Sequence, residues 1–307
     1  MELIIGSRGS KLALWQANWV REQLEALDLE AEVRVEVIKT TGDVKTDVPL
    51  STIGGQGAFT KELEQALLDK RIDIAVHSLK DLPTVLPEGL TISAITERED
   101  ARDALVLREG DSARVASLKD LRAGAIIGTS SQRRVAQLKN LRPDVVLKDV
   151  RGNVDTRLRK LDAGWYDALI LASAGLRRLG LEQRISAPIT VEEMLPAVGQ
   201  GALGIETRDD GGAAARLVAR LDHRPTRAAC VAERALLRRL GGGCQVPIAA
   251  HGTLGDGVLR LEGLVAALDG SRVIRDSLEA DAEGDTLGEA LAERLLERGA
   301  AALLAEG

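Results

Sequence analysis

The chain has 307 residues, 45% of them hydrophobic and 29% charged, with a formal net charge of −6. That is the composition of a globular protein of two or three domains, not of a disordered or fibrous chain. Five aromatics, two cysteines and three histidines exclude a stacking platform for single-stranded nucleic acid, a disulfide framework, and a zinc site of CxxC or HExxH type.

Residues 3–6 read as a strand and 11–27 as an amphipathic helix, with Leu12, Trp15, Trp19 and Leu27 near one stripe. Strand 33–39, helix 59–69, strand 73–77 and strand 91–95 follow. The alternation restarts with strand 104–107 and strand 125–128, then helix 132–141, strand 145–150, helix 154–163 and strand 168–172. Such alternation predicts mixed sheets covered by helices, and its two centres predict two α/β lobes with a cleft between them. A strand at 203–207 is expected to return to the first lobe. From about residue 224 the pattern changes to a helix (226–240), three strands (248–254, 258–268, 272–280) joined by Gly/Asp turns, and a final helix over 285–305. This predicts a small α+β domain with an antiparallel three-stranded sheet. No apolar run reaches the ~20 residues that span a bilayer. The start, Met1–Gly6, has no basic and then apolar leader, so a cytoplasmic location is expected.

Charge is unevenly distributed. Residues 128–178 hold eleven Lys/Arg against five acids, leaving a surplus of negative charge elsewhere. A basic block in an acidic chain predicts a local anion site, not a nucleic-acid surface.

Four polar clusters lie at strand ends or helix starts, where α/β folds bind ligands. Gly6-Ser7-Arg8-Gly9-Ser10-Lys11 lacks the GxxxxGK[S/T] spacing of a phosphate loop. It reads either as a carboxylate site on a helix start or as an ordinary cap. In His77-Ser78-Leu79-Lys80-Asp81-Leu82-Pro83, Asp81 beside Lys80 is placed to stabilise a developing cation, or is a turn aspartate before proline. Gly128-Thr129-Ser130-Ser131-Gln132-Arg133-Arg134 opens a helix with two arginines in its first turn. They oppose the helix dipole there and call for an anion. Arg151-Gly152-Asn153-Val154-Asp155-Thr156-Arg157 and Gly175-Leu176-Arg177-Arg178 add further cations. Cys244 follows Gly241-Gly242-Gly243; it is a displayed nucleophile or, if the glycines merely end a helix, a small packing residue. Cys230, inside an amphipathic helix, is expected to be packing.

Together and in order, these segments resemble the porphobilinogen deaminases, also called hydroxymethylbilane synthases. The similarity runs over essentially the whole chain and includes Gly54-Gly55-Gln56-Gly57 and Leu195-Pro196-Ala197-Val198-Gly199-Gln200-Gly201. It implies two lobes like type II periplasmic binding proteins, residues 1–98 with 197–218 and residues 99–196, plus a C-terminal domain over 219–307. The implied enzyme is a monomeric transferase in tetrapyrrole (haem) biosynthesis. It condenses four porphobilinogen molecules head to tail, releasing ammonia, on a dipyrromethane cofactor held by a thioether to Cys244; hydrolysis then frees hydroxymethylbilane. By the same resemblance Asp81 is catalytic, Lys80, Ser131, Arg133 and Arg134 hold the cofactor carboxylates, and Arg8, Ser10, Thr129, Arg151, Arg157 and Arg178 hold substrate and growing chain. No metal and no nucleic-acid or membrane partner is implied. Hinges are expected near 97–103 and 193–200. Gln56 departs from the lysine that many members carry, which puts that loop's charge in doubt. A periplasmic-type binding module and an effector-binding regulator share the lobes, but neither needs a glycine-flanked cysteine, and no helix-turn-helix pattern accompanies them.

Overall fold

The computed structural model describes residues 2–27, 32–40, 60–110, 116–242, 246–281 and 284–305. The chain falls into two compact units, residues 1–98 with 202–227, and residues 99–201 with 228–307.

The first unit is built on a five-stranded sheet. Strands β1 (Glu2–Ser7), β2 (Glu32–Val37) and β3 (Ile74–Ser78) run parallel, and β4 (Leu90–Ile95) closes the edge. The strand at Leu203–Arg208 inserts antiparallel between β3 and β4, as expected of a returning strand. Helix α1 (Lys11–Leu27) lays Ala13, Gln16, Ala17, Val20 and Leu24 against one face. Ile5, Ile74, Val76 and Ile205 meet them there. Helix α2 (Lys61–Leu68) covers the other face, burying Leu63, Ala66 and Leu67 against Ala75. The split follows from alternation along β3, where successive side chains point to opposite faces.

The second unit repeats the plan. Strands β5 (Asp103–Leu107), β6 (Ile126–Gly128), β7 (Val146–Lys148), β8 (Ala168–Ala172) and the two-residue β9 (Ala187–Pro188) form the order β7-β6-β8-β5-β9. Strands β6, β7 and β8 are parallel, and β5 is antiparallel to β8. With the returning strand numbered β10, the first sheet reads β2-β1-β3-β10-β4, so both sheets place one antiparallel strand inside a parallel set. Helices α3 (Gln132–Leu141), α4 (Val154–Asp162) and α5 (Ser173–Arg178) follow β6, β7 and β8. The first two match expectation; α5 is too short to show periodicity, as is α6 (Ala213–Val218) after β10.

Helix α7 (Arg224–Arg239) leads to the antiparallel sheet β11 (Ile248–Gly255), β12 (Val258–Ala266) and β13 (Val273–Asp281). Ala232, Leu236, Leu261, Leu291 and Leu295 are among its core residues. The expected single C-terminal helix is two, α8 (Gly284–Glu297) and α9 (Ala300–Ala305). Gly299, at φ +96°, ends the first, in the left-handed conformation that glycine supplies at helix ends. No helix among the described residues is long and apolar enough to cross a membrane.

Candidate active site

In the first unit β1 and β3 are parallel, so their carboxyl ends lie at one edge of the sheet, where open α/β sheets hold ligands. Ser7-Arg8-Gly9-Ser10 leaves β1 and Ser78–Asp81 leaves β3. Ser10 caps α1, its Oγ accepting the Ala13 N–H at 3.2 Å. The structure therefore gives that hydroxyl a helix-capping task as well. Gln16, buried on α1, donates to Ser78 Oγ at 2.9 Å and ties the helix to the end of β3. Leu79–Asp81 form a 3-10 turn whose Leu79 N–H donates to the Ala202 carbonyl at 3.0 Å. Leu79 is buried and Asp81 is exposed, so the turn is anchored by its apolar residue and presents its carboxylate.

In the second unit β6, β7 and β8 likewise end at one edge. Gly128 sits where a Cβ would come within 2.9 Å of Tyr166, so only glycine lets the strand end pass under that ring. The Thr129 N–H donates to the Lys148 carbonyl at 2.9 Å. Ser130 Oγ both donates to the Val150 carbonyl and accepts the Val150 N–H, at 2.9 and 3.0 Å. These bonds stitch the loop 128–131 to the loop 150–153. Thr129 and Ser131 thus share a neighbourhood with Arg151 and Arg157. Arg157 is steered by its Nε bond to the Gly152 carbonyl, 2.7 Å. Neither Ser131 nor Asn153 caps its helix with its side chain, and the first turn of α3 contains no acid. Uncapped helix starts flanked by cations suit carboxylates.

Arg133 and Arg134 turn inward. Both are buried, and their Nη2 groups grip the two oxygens of Asp103 at 2.8 and 2.7 Å. Their Nη1 groups donate to the Leu195 and Ile170 carbonyls. The anion that a first-turn arginine pair demands is supplied by the chain itself, so the pair does not by itself call for a ligand. The Nε atoms of both stay buried without a partner, which leaves each one donor to offer. Burial alone would raise the Asp103 carboxyl, but the two guanidiniums hold it well below the usual carboxylate range. Gln200 adds a 2.9 Å bond to Asp103.

Arg178, at the end of α5, donates to the Gly201 carbonyl at 2.6 Å. Burial depresses its guanidinium to about 10, against the opposing pull of Glu99. A cation held down by desolvation is stabilised further by an arriving anion.

The segment 193–200, where a hinge is expected, lies just ahead of the unit boundary at 201/202 and is hydrogen-bonded within the second unit. Leu195 is fully buried and its N–H donates to Gln137 Oε1 at 2.8 Å, while the Gly199 N–H donates to Glu233 Oε2 at 2.6 Å. Cys230 is fully buried, as expected of packing. Cys244 with its neighbours Gly243 and Gln245, and Gln56 with the glycines beside it, lie outside the described residues. Spacing did not single out Gln16, Ser130, Asp103 or Gln200; the one visible sign was an acid opening the apolar strand Ala104–Leu107.

Comparison with known proteins accounts for the arrangement. Residues 3–216 match the family described as porphobilinogen deaminase, dipyromethane cofactor binding domain, and residues 227–297 match its C-terminal domain. The porphobilinogen deaminase of Pelobacter propionicus is 53% identical over 99% of this chain and 97% of its own length. That of Chromobacterium violaceum is 51% identical over the same shares. Among solved structures, the second substrate binding domain of a putative amino acid ABC transporter from Streptococcus pneumoniae aligns at TM-score 0.45 and 13% identity, over 78% of this chain and 95% of that one. That likeness carries no argument; the paired strand orders show two α/β sheets of one plan, and the family models show the family. The chain belongs to the porphobilinogen deaminase family.

Proposed function

We infer that this chain condenses four porphobilinogen molecules head to tail on a dipyrromethane primer, with loss of ammonia, and releases hydroxymethylbilane by hydrolysis. It is a transferase, and its larger matched region is a dipyrromethane-binding domain. The observation that carries the site assignment is the gathering of hydroxyls, uncapped helix starts and arginines at the carboxyl ends of β6, β7 and β8. Each pyrrole unit bears an acetate and a propionate, so primer and product are polyanions, and the donor set fits them. When bound, the dipyrromethane supplies the pyrrole carbon to which new units are joined.

We assign its covalent attachment to Cys244, whose thiolate is the nucleophilic group of the Gly241-Gly242-Gly243-Cys244 run. Lys80, Ser131 and the free Nε donors of Arg133 and Arg134 would hold its carboxylates. Arg8, Ser10, Thr129, Arg151, Arg157 and Arg178 would hold those of substrate and growing chain. Asp81 accepts pyrrole N–H bonds, stabilises the positive charge that develops on substrate as ammonia leaves, and passes a proton at its carboxylate. The three sheets support a division into residues 1–98 with 197–218, residues 99–196, and residues 219–307. The reading extends to a monomer and to a cytoplasmic location, and the sparse cysteine content supports the location.

Purified protein given porphobilinogen should release ammonia and a linear tetrapyrrole, and Asp81→Asn should stop both while the fold remains. Ammonia release by Asp81→Asn at the wild-type rate would remove Asp81 from the mechanism.

A further inference from the structure

His77 and Glu206 form a buried pair that the reading above leaves without a task. His77 Nε2 lies 3.0 Å from Glu206 Oε2, and neither side chain is more than a few per cent exposed. They stand on adjacent antiparallel strands, β3 and β10. In that register His77 is opposite Gly204 and Ala75 is opposite Glu206, so all four face α2. Gly204 matters here because it has no side chain. A Cβ at that position would come within 2.9 Å of the Cδ1 atoms of both Leu79 and Leu82. These two leucines flank Lys80 and Asp81, and cross-strand neighbours stand about 5 Å apart. The imidazole therefore sits beside the apolar footing of the turn that presents Asp81.

The groups facing the pair come from α2. Burial, and then Glu206, push the Glu64 carboxyl above its ordinary value, while the Thr60 hydroxyl and then the charges of His77 and Lys61 pull the other way. One oxygen of Glu206 and one of Glu64 have no hydrogen-bond partner. A buried pair of this kind is no better for stability than two well-packed apolar side chains, yet removing one member is strongly destabilising. Stability alone does not account for it.

We propose that the His77–Glu206 pair is a positioning element for the reacting carboxylate. It fixes the carboxyl end of β3 and, through Leu79 and Leu82 seated over Gly204, sets where Asp81 stands. The proposal rests on the reading of Asp81 as the reacting group. Neither residue touches substrate; both act through the turn. What the turn requires is the N–H donor at the Nε2 position, so an amide that places an N–H there substitutes for the imidazole.

The test compares His77→Gln, which keeps such a donor, with His77→Leu, which does not, each as holoenzyme of verified mass. His77→Leu should lower kcat by about ten- to a hundredfold, the scale of a small misplacement of a reacting group, with KM within about twofold. His77→Gln should stay within about threefold of wild type in kcat. Asp81→Glu, which keeps a carboxylate but displaces it, should leave a measurable rate, and adding His77→Leu to it should cost much less than His77→Leu costs wild type, because both act on the placing of one group. Wild-type kcat in His77→Leu, equal loss in the two His77 variants, or losses that multiply with Asp81→Glu would each overturn the proposal. Should His77→Leu fail to fold, the His77→Leu/Glu206→Leu double variant replaces both partners with apolar groups and restores packing. It should remain low in kcat, and wild-type kcat in it overturns the proposal. An active Asp81→Asn sinks the assignment of Asp81 itself, an outcome distinct from an inactive Asp81→Asn beside a fully active His77→Leu.

Discussion

Asp103→Asn tests how the arginine pair is held. The wild-type carboxylate accepts from Arg133, Arg134 and Gln200 at 2.8, 2.7 and 2.9 Å and is fully buried. An asparagine keeps one acceptor oxygen and turns the other into a donor aimed at a guanidinium. Two buried cations are then left beside each other without a counter-charge. Breaking a buried ion pair on one side costs about 3–5 kcal/mol. For a unit of this size that lowers the melting temperature by about 6–20 °C. The sign with pH follows from the carboxyl being held below its unfolded value. Its contribution is present above the unfolded carboxylate range, near pH 4, and is lost as pH falls through the folded value. Thermal unfolding of wild type and Asp103→Asn, followed by circular dichroism from pH 3 to pH 8, should therefore show a large gap that is constant from pH 8 to about pH 5 and begins to narrow only below about pH 4. A melting temperature within about 2 °C of wild type at pH 7 would refute the ion-pair account.

Glu64→Gln should raise the melting temperature at pH 8 and leave it unchanged near pH 4. Burial holds the Glu64 carboxyl above its unfolded value, so its ionised form costs stability as pH rises; equal melting temperatures at pH 8 would contradict this. Gly288→Ala should destabilise the C-terminal region by about 1–3 kcal/mol in urea unfolding, because the new Cβ would meet Ala235 Cβ at 2.7 Å and the Leu236 N at 2.9 Å. An unchanged midpoint would mean that α8 can slide along α7. Arg178→Leu should raise KM for porphobilinogen by about tenfold or more with little loss of melting temperature, since a desolvated cation is removed along with one carbonyl bond. A KM equal to wild type would free Arg178 from substrate binding.

Much of the fold was legible because the long elements carry strong periodicity. Helix α1 over Lys11–Leu27 and helix α3 over Gln132–Leu141 match their expected bounds. Helices α5 and α6, six residues each, make fewer than two turns and leave no stripe to read. The break at Gly299 depends on a backbone conformation that the sequence permits without requiring. The site divides in the same way. Hydroxyls, glycines and arginines at strand ends were visible because one short run contains both the turn and its cations. Asp103 and Gln200 were not, since their bond joins residues 97 apart in sequence; Gln16 reaches Ser78 across 62. The bonds that hold 193–200 were hidden for the same reason: Gln137, Glu233 and Arg133, which bond its backbone, are all distant in sequence.

The most direct measurement is the intact mass of the purified protein beside that of Cys244→Ser. Wild type should exceed its 32.7 kDa polypeptide by two linked pyrrole units, and Cys244→Ser should weigh only its residues and release no ammonia from porphobilinogen. A wild-type mass equal to the bare polypeptide in active enzyme, or a Cys244→Ser variant that still carries the pyrroles, would contradict the account.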